Sequence, residues 1–143
     1  MQERADKILV VKSKMRLFLL KDEKVLFEFP VVFGRNPIWH KECEGDGRTP
    51  EGIYTIDFKK EDSRFYKALR ISYPNENDRA HATSKGLSPG GQIMIHGQRN
   101  GRAWATFWYQ CFNWTQGCIA LTNPDMEKVW QFVEIGTSIE ILK

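Results

Sequence analysis

Short apolar runs, each cut off by glycine, proline or a cluster of charge, constrain this chain most: they are too brief for helices, and several alternate as half-buried strands do. Residues 7–12 and 15–20 form two such runs, and residues 25–34 follow the charged turn Lys21-Asp22-Glu23-Lys24. The first third therefore reads as a β-meander. A turn-rich stretch from Gly45 to Gly52 leads into Ile53-Tyr54-Thr55-Ile56-Asp57-Phe58, which alternates apolar and polar residues. Further strands are expected at 68–73, ended by Pro74, at 92–96 and at 137–142.

Helical spacing is clear near the end, where Met126, Val129, Trp130 and Val133 fall on one face. Asn123 is the expected cap, Pro124 the first helical residue and Gly136 the stop. A shorter helix is expected between Asn77 as cap and Gly86 as stop. The predicted architecture is mostly β (α+β), a single domain over 1–143 resembling a β-sandwich, with one or two short helices packed on it. A chain of 143 residues can bury about two-thirds of its unfolded surface, enough for a core without metal or disulfides.

Charge narrows the function classes. A net charge of +3 spread over 21 basic and 18 acidic residues makes no basic stripe, so a nucleic-acid partner is not expected. No run is long and apolar enough for a membrane span, and the first residues lack the pattern of an export signal. Either the protein is cytoplasmic or an export signal was removed. The cysteines Cys43, Cys111 and Cys118 leave at least one thiol unpaired, and none sits at C-x-x-C spacing, so no metal or other cofactor is called for. A disulfide between Cys43 and Cys111 stays open, since geometry decides it.

Chemistry concentrates at Ile93-Met94-Ile95-His96-Gly97 and Thr115-Gln116-Gly117-Cys118-Ile119. Each places a residue able to act as base or nucleophile beside a glycine and an apolar run, and an imidazole that accepts a thiol proton is the usual device for activating cysteine. Gly97 and Gly117 let backbone and substrate approach, and the amides of Gly117 and Cys118 can face a developing oxyanion. Taken alone, Cys118 reads more readily as a small buried hydrophobe before Ile119, and His96 as a core or strand-end histidine satisfied by backbone. His40 and His81 lack such context and read as surface residues. The aromatic segment from Trp104 to Trp114 either packs in the core or walls a cleft over Cys118, and Arg79, Arg99 and Arg102 can pair with carboxylates of a peptide.

His96-Gly97, then Thr115-Gln116-Gly117-Cys118-Ile119, then Asn123-Pro124-Asp125, together resemble the YkuD-type L,D-transpeptidase catalytic domain. Thr49-Pro50-Glu51-Gly52-Ile53-Tyr54 is similar to that family's Thr-Pro-x-Gly-x-Tyr segment. Ile71-Ser72-Tyr73-Pro74-Asn75 and Gly90 to Gly97 resemble its YafK-like branch. The resemblance implies Cys118 as nucleophile, His96 as base, the Gly97 carbonyl as the group orienting the imidazole, and Gly117 in the oxyanion site. Thr115, Gln116, Arg79, Arg99 and Tyr73 are the expected substrate contacts, the two arginines because they flank this region in sequence. The resemblance further implies action on the diaminopimelate position of peptidoglycan stem peptides through a thioester, in the periplasm or cell envelope, with a wall-linked lipoprotein as a possible partner. Two departures, Gln116 where many members have histidine and Ala120 where many have arginine or asparagine, leave room for a hydrolase: an L,D-carboxypeptidase or an amidase. A catalytically silent peptidoglycan-binding domain is the alternative from a different class.

Overall fold

The computed structural model describes residues 3–102, 105, 110–111 and 113–143. Strands β1 (Lys7–Val11), β2 (Arg16–Lys21) and β3 (Lys24–Pro30) form the expected meander. Their alternation sends Ile8, Val10, Leu17 and Leu19 fully inward. Asp22 and Glu23, both at positive φ (49° and 67°), make the two-residue turn between β2 and β3, the geometry that suits the right-handed twist of a hairpin.

β4 (Gly52–Ser63) carries the sheet round a corner. Its first residues pair antiparallel with β8 (Ser138–Leu142), and its later ones with β5 (Tyr66–Ile71), with register shifts between Ile56 and Phe58 and between Lys60 and Ser63. Such irregularities let one strand serve two layers. β6 (Met94–His96) and β7 (Ile119–Ala120) complete one eight-stranded sheet in the order β3-β2-β1-β8-β4-β5-β6-β7. Just beyond β3, Val32 pairs with Ala120 and Gly34 with Thr115. The sheet thus curls until its first and last strands are joined by one connecting segment, which covers the β7 edge. The predicted strand over 25–34 accordingly stops at Pro30 and continues as single bridges.

Helix α1 (Glu76–Ser84) is capped by Asn75, two residues before the predicted cap. Asn75 Oδ1 accepts from Asp78 N at 2.8 Å, and Asp78 Oδ2 accepts from Asn75 N at 3.0 Å, a reciprocal capping box. Asp78 also accepts from Tyr54 Oη and His40 Nε2, each at 2.8 Å. His40 is therefore partly buried inside a network, not a free surface residue: Glu51 N–H donates to its Nδ1 at 2.8 Å. His81 is exposed, as expected, and meets Glu42 at 3.2 Å.

Helix α2 (Asn123–Phe132) buries Met126 and Val129 against the sheet, with Val133 just past its end. Its cap is Thr122, whose side chain accepts from Asp125 N, one residue earlier than predicted. Lys59 Nζ donates to the carbonyls of Trp130 and Val133 at 3.0 and 2.9 Å, neutralising the negative end of the helix. Cys43, Cys111 and Cys118 are all free thiols, so the open disulfide is not formed. No helix among the described residues is long and apolar enough to cross a membrane.

Candidate active site

β6 and β7 run parallel, with Ile95 beside Ile119 and His96 beside Ala120. Side chains alternate along a strand, so fully buried Ile95 and Ile119 point one way, while Met94, His96 and Cys118 point to the other face. That face borders a cavity of about 660 Å³ lined by Lys60, Ser63, Arg64, Phe65, Gln92, Met94, His96, Trp114, Thr115, Gln116 and Cys118. The two residues singled out by sequence thus share one wall.

His96 is 4% exposed, and its Nδ1 lies 2.7 Å from the carbonyl oxygen of Gly97. A carbonyl only accepts, so the ring proton sits on Nδ1 and Nε2 keeps the lone pair. Phe65 stacks on the imidazole at 4.4 Å between centroids, and Trp114 approaches at 5.8 Å. Burial pulls the imidazole pKa down to about 4, against a smaller opposing effect of the Gly97 hydrogen bond. It is neutral at pH 7.

Cys118 opens partly onto the cavity. Met94 N–H donates to its Sγ at 3.4 Å, and the thiol lies 3.5 Å from the Gln92 carbonyl, an acceptor for its proton. Burial raises the thiol pKa, opposed by the Met94 amide and by the Lys41 charge. Neutral thiol and neutral imidazole are the resting forms.

The turn before Cys118 is held from several sides. Thr115 Oγ1 donates to the Cys118 carbonyl at 2.7 Å and accepts from Gly117 N at 3.1 Å. Thr49 Oγ1 donates to the Gly117 carbonyl at 2.8 Å and accepts from Gly34 N at 3.1 Å. Gly117 has φ 131°, and a Cβ there would lie 2.7 Å from the Arg48 carbonyl oxygen. Only glycine fits. Its amide, expected to face an oxyanion, is instead used inside the turn.

Of the anticipated substrate contacts, Thr115 and Gln116 line the cavity. Arg79, on α1, and Arg99 are exposed elsewhere and do not line it, nor does Tyr73, which is buried with its hydroxyl donating to Pro89 O at 2.8 Å. The cavity's cations are Lys60 and Arg64, on the hairpin between β4 and β5. Sequence reasoning missed them because 59–64 is polar throughout and offers no period to place it. Trp114 joins the wall; Trp104, Phe107, Trp108, Tyr109 and Phe112 lie outside the described residues.

The family model YkuD, described as the L,D-transpeptidase catalytic domain, matches residues 5–141. Over 95 residues the chain is 37% identical to the Escherichia coli (strain K12) protein named "Putative L,D-transpeptidase YafK", covering 65% of this chain and 31% of that one. The helical cell shape determining protein Pgp2 from Campylobacter jejuni has a similar structure, with a TM-score of 0.70 and 25% identity over 98% of this chain and 48% of that one. An L,D-transpeptidase from Mycobacterium smegmatis shares the fold at a TM-score of 0.62 and 17% identity, over 97% of this chain and 59% of that one. The chain spans less than half the length of the curated relative it matches. A match that begins before β1 and reaches into β8, on a fold shared with solved L,D-transpeptidases, makes this chain a member of the YkuD family of L,D-transpeptidase catalytic domains.

Proposed function

We propose that residues 1–143 form one catalytic domain that acts on peptidoglycan stem peptides, using Cys118 as nucleophile and His96 as base. The observation that carries this reading is the shared cavity wall, with the proton of His96 fixed on Nδ1 so that Nε2 is the ring's acceptor. Because both groups rest uncharged, proton transfer from thiol to Nε2 accompanies attack of Sγ on the substrate carbonyl. A carbon–sulfur bond forms, and the Gly97 carbonyl steadies the imidazolium through Nδ1–H. Collapse breaks the amide bond; the leaving amine takes the proton from Nε2, and a thioester remains on Cys118. An amine from a second stem, or water, then resolves the thioester and restores the thiol.

The Cys118 amide is the oxyanion donor in this scheme, and Gly117 serves by its conformation. Lys60 and Arg64 favour a substrate bearing free carboxylates, which fits the amide between diaminopimelate and D-Ala in a tetrapeptide stem. Members of the family act on peptidoglycan, and Pgp2 is a helical cell shape determining protein. We place this chain's action in the periplasm or cell envelope, with a stem peptide or a wall-linked lipoprotein as the second substrate.

A hydrolytic outcome has a specific observation in its favour. Ala120, fully buried beside His96 in register, offers no polar group at the position where the family resemblance implies arginine or asparagine, so that position lends no hold on an amine acceptor. Incubating the protein and its Cys118→Ala variant with purified tetrapeptide muropeptides and diaminopimelate-linked species, with products read by mass spectrometry, tests the function. Cross-linked dimer that depends on Cys118 marks a transpeptidase. Free tripeptide or a cleaved link without new amide bonds marks a hydrolase. No Cys118-dependent change sinks the reading in favour of a silent binding domain.

A further inference from the structure

The carbonyl that holds His96 belongs to the peptide group between Gly97 and Gln98, and the other end of that group is also tied. Its N–H, that of Gln98, donates to Asn123 Oδ1 at 2.8 Å, while its C=O accepts from His96 Nδ1 at 2.7 Å. One rigid plane therefore joins the Asn123 side chain to the imidazole. Hydrogen bonds in such a chain polarise one another, so an acceptor at the N–H end strengthens the carbonyl at the other end.

Two features of the sequence make this link possible. Thr122 caps α2, which frees the side chain of Asn123 from that duty. Gly97 leaves the necessary space, since a Cβ there would lie 2.5 Å from Asn123 Oδ1. The main chain reinforces the arrangement: Leu121 N donates to His96 O at 2.9 Å, and Gly97 N to Phe65 O at 2.8 Å.

We propose that Asn123 is a positioning residue for His96, acting through the Gly97–Gln98 peptide group to keep the imidazole proton on Nδ1 and the Nε2 lone pair available to the Cys118 thiol. This rests on the reading of His96 as the base. Asn123 touches neither reacting atom, so its effect falls on kcat and on the histidine tautomer and leaves substrate affinity in place.

The test uses the full chain labelled with ¹⁵N-histidine, whose two-bond proton–nitrogen couplings report the tautomer without any turnover, together with kcat and KM for muropeptide conversion. Wild type is expected to show the Nδ1–H form of His96. Asn123→Ala should show mixed tautomers and a kcat lower by about tenfold or more with KM little changed, the scale of losing an outer partner that orients a histidine. Asn123→Asp keeps an acceptor oxygen in place and should keep both tautomer and activity. A folded Asn123→Ala protein with an unchanged tautomer and kcat would overturn the proposal. So would loss of the Nδ1–H form in folded Asn123→Asp, which decides the matter even if the alanine variant does not fold. A wild type that shows the Nδ1–H form but turns over no muropeptide would sink the proposed function while leaving the structural link to be read from the variants' tautomers.

Discussion

At the level of single residues, burial pushes His96 and Cys118 toward their uncharged forms, and that decides how the thiol behaves before substrate arrives. The site is not a preformed thiolate–imidazolium pair. Alkylation of Cys118 by iodoacetamide is therefore expected to rise with a midpoint above the ordinary thiol pKa of about 8.5; a midpoint well below that value would contradict the neutral pair. His96 also makes stability depend on pH. Its folded pKa of about 4 lies below the unfolded value of 6.5, so between those values the unfolded chain binds the extra proton and stability increases with pH. The contribution is complete above pH 6.5 and is lost as pH falls to 4, amounting to about 3 kcal/mol. Urea unfolding of wild type and His96→Asn across that window measures it. The variant should lose most of the slope, and parallel curves would rule out a buried neutral histidine as its source.

Among elements, the turn leading into β7 matters most, because it aims Cys118. Thr115→Val keeps the shape but removes the hydroxyl that satisfies both Gly117 N and the Cys118 carbonyl. It should cost about 1–3 kcal/mol, the penalty for stranding buried polar groups, and reduce turnover further than that loss of folded protein explains. Thermal unfolding alongside activity at a temperature where the variant is folded checks both; a stable, fully active variant would show that the turn does not need the hydroxyl. The elements differed in how readable they were. β1, β2 and β8 follow from apolar alternation, and α2 from Met126, Val129 and Val133. The end of β4 did not, because Lys59-Lys60-Glu61-Asp62-Ser63 has no apolar period and is held by pairing with β5. Thr122 and Asn123 are both good caps by type, and only the folded contacts decide between them: Thr122 accepts from Asp125 N, while Asn123 turns to Gln98. β7 is two residues long, too short to signal itself.

Across the whole molecule, the site depends on contacts distant in sequence. The curled sheet brings Thr49 to Gly117, Phe65 to His96 and the segment after β3 to Thr115 and Ala120. Sequence motifs singled out His96 and Cys118, because each carries its chemistry locally beside a glycine, but it is the fold that brings both to one cavity. The motifs did not place the cavity's cations: Lys60 and Arg64 reach it through a hairpin, while Arg79 and Arg99, nearer in sequence to the motif residues, do not line it. Tyr73, offered as a substrate contact, is committed instead to Pro89 beneath the surface. In the proposed reaction Cys118 carries the acyl group of a stem peptide. The most direct measurement of this is the intact mass of the protein quenched in acid during reaction with a purified tetrapeptide stem. A covalent adduct equal to the stem less D-Ala is expected, mapped to Cys118, labile to hydroxylamine and absent from Cys118→Ala. Turnover of the stem with no adduct on Cys118, or with undiminished rate in Cys118→Ala, would contradict that reaction.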